Sequence, residues 1–117
     1  MLEKYLNPSN KRCLNRIKAH QAVRYQIRGN QSFDSAVTDD LSCAGLSFTN
    51  DKFISLDTLL MFQINVLSRM ISPIGRVCWV NNVPFSDRFR YGVQFVEVDP
   101  SQKRYLSDYV DMQGGKF

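Results

Sequence analysis

Polar and apolar residues alternate along much of the chain from residue 21 onward, with the period of two that is typical of half-buried strands. In the first such segment, Val23, Tyr25 and Ile27 share one face, and the residues between them are polar. Similar segments, separated by turn residues, cover 33–38, 45–49, 59–67, 71–80 and 89–98. The pattern predicts six short strands, and Pro73 and Gly75 predict an edge or a bulge early in the fifth.

The hydrophobic period changes after residue 98. Asp99 followed by Pro100 is a typical N-cap and first position of a helix. Apolar side chains then recur at helical spacing, at Tyr105, Leu106, Tyr109 and Val110. The sequence therefore predicts a mainly β protein, a small six-stranded antiparallel β-barrel with a C-terminal helix.

Between the third and fourth predicted strands, residues 52–58 form a predicted connecting loop. We expect Phe53, Ile54 and Leu56 in this loop to lie against the core, because they are its apolar residues. Trp79, in a strand followed by polar turn residues, is expected to anchor the core rather than to serve as a stacking surface.

Composition is that of an ordinary globular protein. The 117 residues suit one domain, and the 44% hydrophobic and 22% charged residues exclude a disordered class of protein. No uncharged run is long enough for a membrane-spanning helix, and the first residues lack a secretory signal, which favours a cytoplasmic location. Cys13, Cys43 and Cys78 are widely spaced, so we expect free thiols in a reducing compartment.

Candidate catalytic and metal-binding groups are few. His20 is the only histidine, and it would have to act as base in any Ser-His or Cys-His arrangement. A zinc site needs about four suitable ligands at short spacings, which this sequence does not offer. We therefore expect neither an enzyme nor a metal protein.

Charge is unevenly distributed. Residues 1–30 hold seven basic residues and one acidic residue, a net +6, whereas residues 31–117 hold eight and ten, a net −2. A basic leader attracts phosphates. Residues 1–20 carry mutually repelling charges and few apolar side chains, which predicts that this segment is flexible without a ligand. We therefore divide the chain into a flexible N-terminus at 1–10, a barrel domain at 11–112 and a flexible tail at 113–117.

Two short motifs carry candidate binding chemistry. Arg12 and Arg16 form an R-x-x-x-R just before the first strand, and their planar guanidinium groups suit a phosphate or the O6/N7 edge of guanine. Asp40, Ser42 and Gly45 form a D-x-S-x-x-G at the predicted turn between the second and third strands. Asp40 can accept hydrogen bonds from the N1–H and N2–H₂ of guanine, and Ser42 can bond a phosphate. The alternative is a local turn, with Asp40 and Ser42 bonded to backbone N–H groups and an unusual φ at Gly45.

The order of the two motifs, with the strand sequences around them, resembles the PilZ domain family over roughly residues 11–112. The resemblance implies that the five motif residues bind the bacterial second messenger cyclic di-GMP, that the protein is a receptor rather than an enzyme, and that it acts on a partner protein. Many family members have an arginine and a glycine where this chain has Lys11 and Ala44. Lys11 keeps the charge without the planar fork and is expected to contact the ligand, with an altered stacking of ligand molecules.

Two other functions are compatible with the sequence. A basic arm on a small barrel is also typical of single-stranded nucleic-acid-binding proteins, although the net −2 of residues 31–117 argues against nucleic acid. A PilZ-like adaptor that has lost ligand binding is the other alternative, and the intact motifs argue against it. The sequence does not identify the effector protein.

Overall fold

A computed structural model describes residues 15–114 of the chain. Lys11, Arg12 and the rest of the predicted flexible leader up to residue 14 lie outside the described residues, as do residues 115–117. The predicted division into residues 1–10, 11–112 and 113–117 stays a prediction.

Residues 15–114 form eight strands and one helix. The strands are β1 (Ile17–Lys18), β2 (Ala22–Ile27), β3 (Asp34–Ser42), β4 (Gly45–Asn50), β5 (Leu59–Val66), β6 (Arg69–Ile71), β7 (Ile74–Asn82) and β8 (Phe89–Glu97), followed by helix α1 (Pro100–Gly114). The predicted mainly β fold with a C-terminal helix is confirmed.

Six of the strands close into a barrel. Neighbouring strands pair in the order β3-β2-β5-β7-β8-β4, and pairing of β4 with β3 completes the ring, with every pair antiparallel. The two short strands are additions, since β1 pairs with β3 and β6 pairs with β5. Closure leaves no long exposed edge, which protects a small sheet from pairing with other chains.

An aromatic cluster fills the barrel. Ring centroids lie 5.5 Å apart between Tyr25 and Phe48, 6.3 Å between Phe48 and Phe62, and 5.2 Å between Phe48 and Tyr91. Each of these side chains is almost completely buried. The inward position of Tyr25 agrees with the period-two alternation of its strand.

The loop between β4 and β5 packs differently from the prediction. Ile54 is buried, but Phe53 and Leu56 are 65% and 57% exposed, so the prediction is wrong for these two residues. The buried Tyr91 hydroxyl accepts a hydrogen bond from the Ile54 amide and donates one to the Lys52 carbonyl, both at 2.7 Å. Two hydrogen bonds between the loop backbone and the Tyr91 hydroxyl therefore hold the loop in place. These bonds do not require the side chains of Phe53 and Leu56 to turn inward.

Helix α1 begins where the sequence predicts. The Asp99 carboxylate accepts a hydrogen bond from the Ser101 amide at 2.8 Å, as expected of an N-cap. Leu106 and Val110 are buried, and the Tyr105 hydroxyl donates to the Val66 carbonyl at 3.0 Å. Within residues 15–114, no helix is long and apolar enough to cross a membrane.

The cysteines differ from the prediction at one position. Cys43 is disulfide-bonded, so the prediction of free thiols is wrong for this residue, whereas Cys78 is free and exposed. Spacing along the chain could not reveal the bond, because a disulfide depends on the distance between sulfur atoms in the folded protein.

Candidate ligand-binding site

The turn between β3 and β4 is closed by Ser42. The Ser42 Oγ accepts hydrogen bonds from the backbone amides of Ala44 at 3.1 Å and Gly45 at 3.2 Å. Ser42 is 1% exposed, so its hydroxyl stabilises the turn from within. This arrangement agrees with the local alternative for Ser42, and direct contact between Ser42 and a ligand stays a prediction.

Gly45 is required by a close contact between strands. Among the described glycines, only Gly29 has a positive φ, so the suggestion of an unusual φ at Gly45 is wrong. A Cβ atom at residue 45 would lie 2.0 Å from the backbone oxygen of Val93. The absence of a side chain therefore allows β4 to approach β8 at the end of the barrel that carries the motif.

The two motifs meet at Arg16 and Asp40. Asp40 lies inside β3 rather than in the predicted turn, because β3 extends to Ser42. Strand β1 pairs Lys18 with Asp40, which places Arg16, just before β1, beside the Asp40 side chain. The Arg16 guanidinium and the Asp40 carboxylate form an ion pair, with side chains 46% and 17% exposed.

A β-bulge brings a second carboxylate to the same place. The pairing of β3 with β4 shifts register between Thr38 and Asp40, so that Asp39 is the extra residue. The Arg90 Nε lies 3.4 Å from Asp39 Oδ2, and the Arg90 Nη2 lies 3.8 Å from Asp40 Oδ2. Simple alternation predicts that Asp39 and Asp40 point to opposite faces, and this is wrong because the bulge interrupts the alternation.

Four residues form a row across the outer face of the barrel. Register places Asp40 opposite Ser47, Ser47 opposite Gly92, and Gly92 opposite Trp79, on strands β3, β4, β8 and β7. Small residues occupy the middle of the row, and larger side chains stand at both ends. The result is a pocket of about 410 Å³, whose lining includes Arg16, Asp40, Ala44, Ser47, Trp79 and Gly92.

Trp79 is a wall of this pocket. It is 39% exposed, so the prediction that it anchors the core is wrong. A second bulge, between Val77 and Trp79, moves Trp79 from the inner to the outer face. The indole lies over Gly92, because a Cβ atom at residue 92 would be 2.0 Å from the Trp79 Nε1.

Four residues in or beside the site were not predicted from the sequence: Trp79, Gly92, Ser47 and Arg90. Gly92 offered a signal, because a glycine within an alternating strand often marks a close approach of other groups. No similar signal marks Ser47 or Arg90, whose positions depend on pairing between strands distant in sequence.

The pocket combines several kinds of recognition chemistry. Arg16 supplies a hydrogen-bonding cation, Asp40 an acceptor for paired N–H donors, and Trp79 an aromatic face. The Ser47 Oγ is buried without a hydrogen-bond partner among the described residues, and Ser47 lies on the pocket floor. Such a set suits a planar, anionic ligand with N–H donors. Residues 15–114 contain no group of three or more potential metal ligands.

Several solved structures of other proteins have a similar fold. The structure is similar to the Bacillus subtilis inhibitor of motility MotI/DgrA, with a TM-score of 0.74 and 16% identity over 85% of this chain and 49% of that one. It is also similar to Escherichia coli YcgR in complex with c-di-GMP, with a TM-score of 0.67 and 15% identity over 81% of this chain and 42% of that one. The PilZ domain of YcgR with c-di-GMP gives a TM-score of 0.65 at 14% identity, over 84% of this chain and 86% of that one.

The chain therefore spans about half or less of the first two proteins but most of the isolated YcgR domain. No curated protein sequence matches it. The family model of the PilZ domain matches residues 10–112, nearly the same range as the resemblance found in the sequence. This chain belongs to the PilZ domain family.

Proposed function

We propose that this protein is a cyclic di-GMP receptor, not an enzyme, and that the ligand binds at the Arg16–Asp40 pocket. The observation that carries the proposal is the ion pair between the two motifs beside the exposed face of Trp79. The predicted ligand contacts are those of the two motifs and the adjacent lysine: Lys11, Arg12, Arg16, Asp40, Ser42 and Gly45.

The chemistry of the ligand fits this pocket. Cyclic di-GMP has two phosphates, which suit the arginine guanidinium groups, and two guanines, each with adjacent N1–H and N2–H₂ donors for the Asp40 carboxylate. The Trp79 indole offers a surface on which a guanine can stack, and stacking of a base on an aromatic side chain contributes about 1–3 kcal/mol. The complexes of YcgR with c-di-GMP support the proposal through the shared fold.

Calorimetric titration with cyclic di-GMP tests the proposal. We expect binding by the parent protein, and a loss of about 1.5–3 kcal/mol in binding free energy for Arg12→Ala and for Arg16→Ala, the usual contribution of a hydrogen bond to a charged group. Arg24→Ala is the matched control, because the Arg24 guanidinium lies 4.5 Å from the ring centroid of Phe33, on a different part of the barrel. Equal binding by both motif variants and the parent would refute the motif assignment.

A parallel titration tests the nucleic-acid alternative. Binding of a single-stranded oligonucleotide through Z phosphates should weaken with salt at a log–log slope near −0.7Z, whereas a dianionic ligand should show a gentle dependence. A steep slope for the oligonucleotide, with no heat on addition of cyclic di-GMP, would favour that alternative over a second-messenger receptor.

We further propose that the ligand ties the basic leader to the barrel of a cytoplasmic protein, and that an effector protein, as yet unidentified, reads the new surface. Neutralisation of the leader's positive charges by a dianion supplies the driving force. On addition of cyclic di-GMP, amide hydrogen exchange should slow at residues 11–20 and 40–45, with little change in the rest of the barrel. Fast exchange in the leader at saturating ligand would contradict this switch without contradicting binding.

A further inference from the structure

Arg90 occupies a constrained position next to the binding pocket. It lies on the outer face of β8, where its strand neighbours are Thr49 of β4 and Asn81 of β7. The guanidinium is part exposed, but its Nε is buried and has no hydrogen-bond partner among the described residues. The Nε lies within ion-pair distance of Asp39, at 3.4 Å, without the geometry of a hydrogen bond.

The neighbouring carboxylate is itself held in place. The Thr49 hydroxyl donates a hydrogen bond to Asp39 Oδ2 at 2.8 Å, so Asp39 is tied to β4. Because Asp39 is the extra residue of the bulge, this contact helps to define the backbone from which Asp40 projects. Arg90 therefore lies between a fixed carboxylate and the carboxylate of the motif.

Asp40 faces a different arginine at each oxygen. Oδ1 pairs with Arg16, whereas Oδ2 lies 3.8 Å from the Nη2 of Arg90. The two arginines and the two aspartates, Asp39 and Asp40, form a neutral cluster with alternating charges. If a ligand phosphate engages Arg16, Asp40 keeps Arg90 as its nearby cation and does not have to reorient toward a new partner.

We propose that Arg90 is a positioning residue that holds Asp40, through the bulge, in the orientation required to read the N–H edge of guanine. This inference rests on the proposed function. It assigns Arg90 to selection of the base rather than to capture of the phosphate. Adenine presents an acceptor at N1 where guanine presents a donor, so a correctly oriented carboxylate repels adenine and accepts from guanine. Loss of Arg90 should therefore reduce discrimination between the two bases as well as affinity.

The test is calorimetric titration of Arg90→Gln with cyclic di-GMP and with cyclic di-AMP. We expect the affinity for cyclic di-GMP to fall about tenfold, at the lower end of the range for charge-assisted contacts, with a smaller change for cyclic di-AMP. Arg90→Lys should restore part of the selectivity, since it keeps the charge. Arg88→Gln is the matched control, because Arg88 is an exposed arginine two residues away, just before β8.

A second variant separates positioning from loss of folding. Asp39→Asn weakens the contact between Arg90 and Asp39 by removing the negative charge of Asp39. If Arg90 acts through the bulge, the effects of Arg90→Gln and Asp39→Asn on binding should be non-additive. Thermal unfolding of each variant checks that the barrel persists.

The outcomes distinguish this inference from the proposed function. A parent protein that does not bind cyclic di-GMP overturns both. A parent that binds, with an Arg90→Gln variant of equal affinity and equal selectivity, overturns the role of Arg90 alone. Equal weakening for both cyclic dinucleotides also overturns it, because that result assigns Arg90 to the phosphates.

Discussion

The inner and outer faces of β4 and β8 are built from alternate residues of the same strands, yet their chemistry is opposite. The inner face of these strands carries Leu46, Phe48, Tyr91 and Val93, all almost completely buried. The outer face carries small or polar residues: Ser47, Thr49, Arg90 and Gly92. Two of their buried polar atoms, Ser47 Oγ and Arg90 Nε, have no hydrogen-bond partner within the described part of the chain.

This difference shows how one pair of strands can serve stability and binding separately. Burial of large apolar side chains stabilises the folded protein, and in these two strands most of those side chains lie on the inner face. The outer face has no large side chains between Asp40 and Trp79. This leaves a shallow pocket floor where a ligand can approach the backbone. Substitutions at neighbouring positions of one strand should therefore affect different measurements.

The largest effect should follow removal of an inner ring. Phe48 contacts Tyr25, Phe62 and Tyr91, so Phe48→Ala should lower the free energy of unfolding by about 3–5 kcal/mol. Its neighbour provides the control, because Ser47→Ala removes a buried hydroxyl that has no hydrogen-bond partner among residues 15–114 and should not lower the free energy of unfolding. Urea denaturation of both variants measures the contrast. Similar losses at residues 47 and 48 would mean that the outer face is also a packed core.

An intermediate effect should follow a methyl group added to the pocket floor. In Gly92→Ala, the new Cβ would collide with the Trp79 indole, which must then move. We expect cyclic di-GMP binding to weaken by about 2 kcal/mol, within the range for a base stacked on an aromatic side chain.

Trp79 also provides the measurement, because the chain has only one tryptophan. Its fluorescence should change on addition of ligand to the parent protein, and the emission of unliganded Gly92→Ala should already differ. Gly29→Ala is the control for affinity, since Gly29 has no atom within 4 Å of its Cβ position and lies in a turn away from the pocket. Because Gly29 has a positive φ, this variant should lose stability but keep its affinity for the ligand. Unchanged affinity in Gly92→Ala would exclude Trp79 from ligand binding.

The smallest effect concerns the inner face at high pH. Burial, followed by the negative charge of Asp34, raises the pKa of Tyr25 from 10.0 to about 12. A raised pKa in the folded state contributes stability that is fully present below pH 10 and is lost as pH rises toward 12. We expect a loss of about 1–2 kcal/mol across this range, below the full value because half of the Tyr25 side chains are still protonated in the folded protein when the pH equals their pKa.

Denaturant unfolding between pH 9 and pH 12 measures this loss. Burial also raises the pKa of Tyr91, which should add to it in the same direction. Tyr25→Phe should make the dependence on pH shallower, although it removes the hydrogen bond from the Asn50 amide to the Tyr25 hydroxyl. A slope unchanged by Tyr25→Phe would assign the loss to other groups.

Local sequence patterns were enough to predict the barrel and part of its interior. Period-two alternation reports which residues of a regular strand face the same way, so Val23 and Tyr25 could be assigned to the core from the sequence alone. The change of period at Asp99 located the helix, because a capping residue and the following proline act locally. The order of the two motifs indicated the family, which the match over residues 10–112 confirms.

The composition of the site, in contrast, depends on how the strands pair. One bulge turns Asp40 outward beside Asp39, and another turns Trp79 outward over Gly92, and at both places strict alternation predicts the opposite face. A bulge is defined by a mismatch in register between two strands, and each strand alone carries only half of that information. For the same reason, the row that joins Asp40 to Trp79 exists only after β3, β4, β8 and β7 have paired.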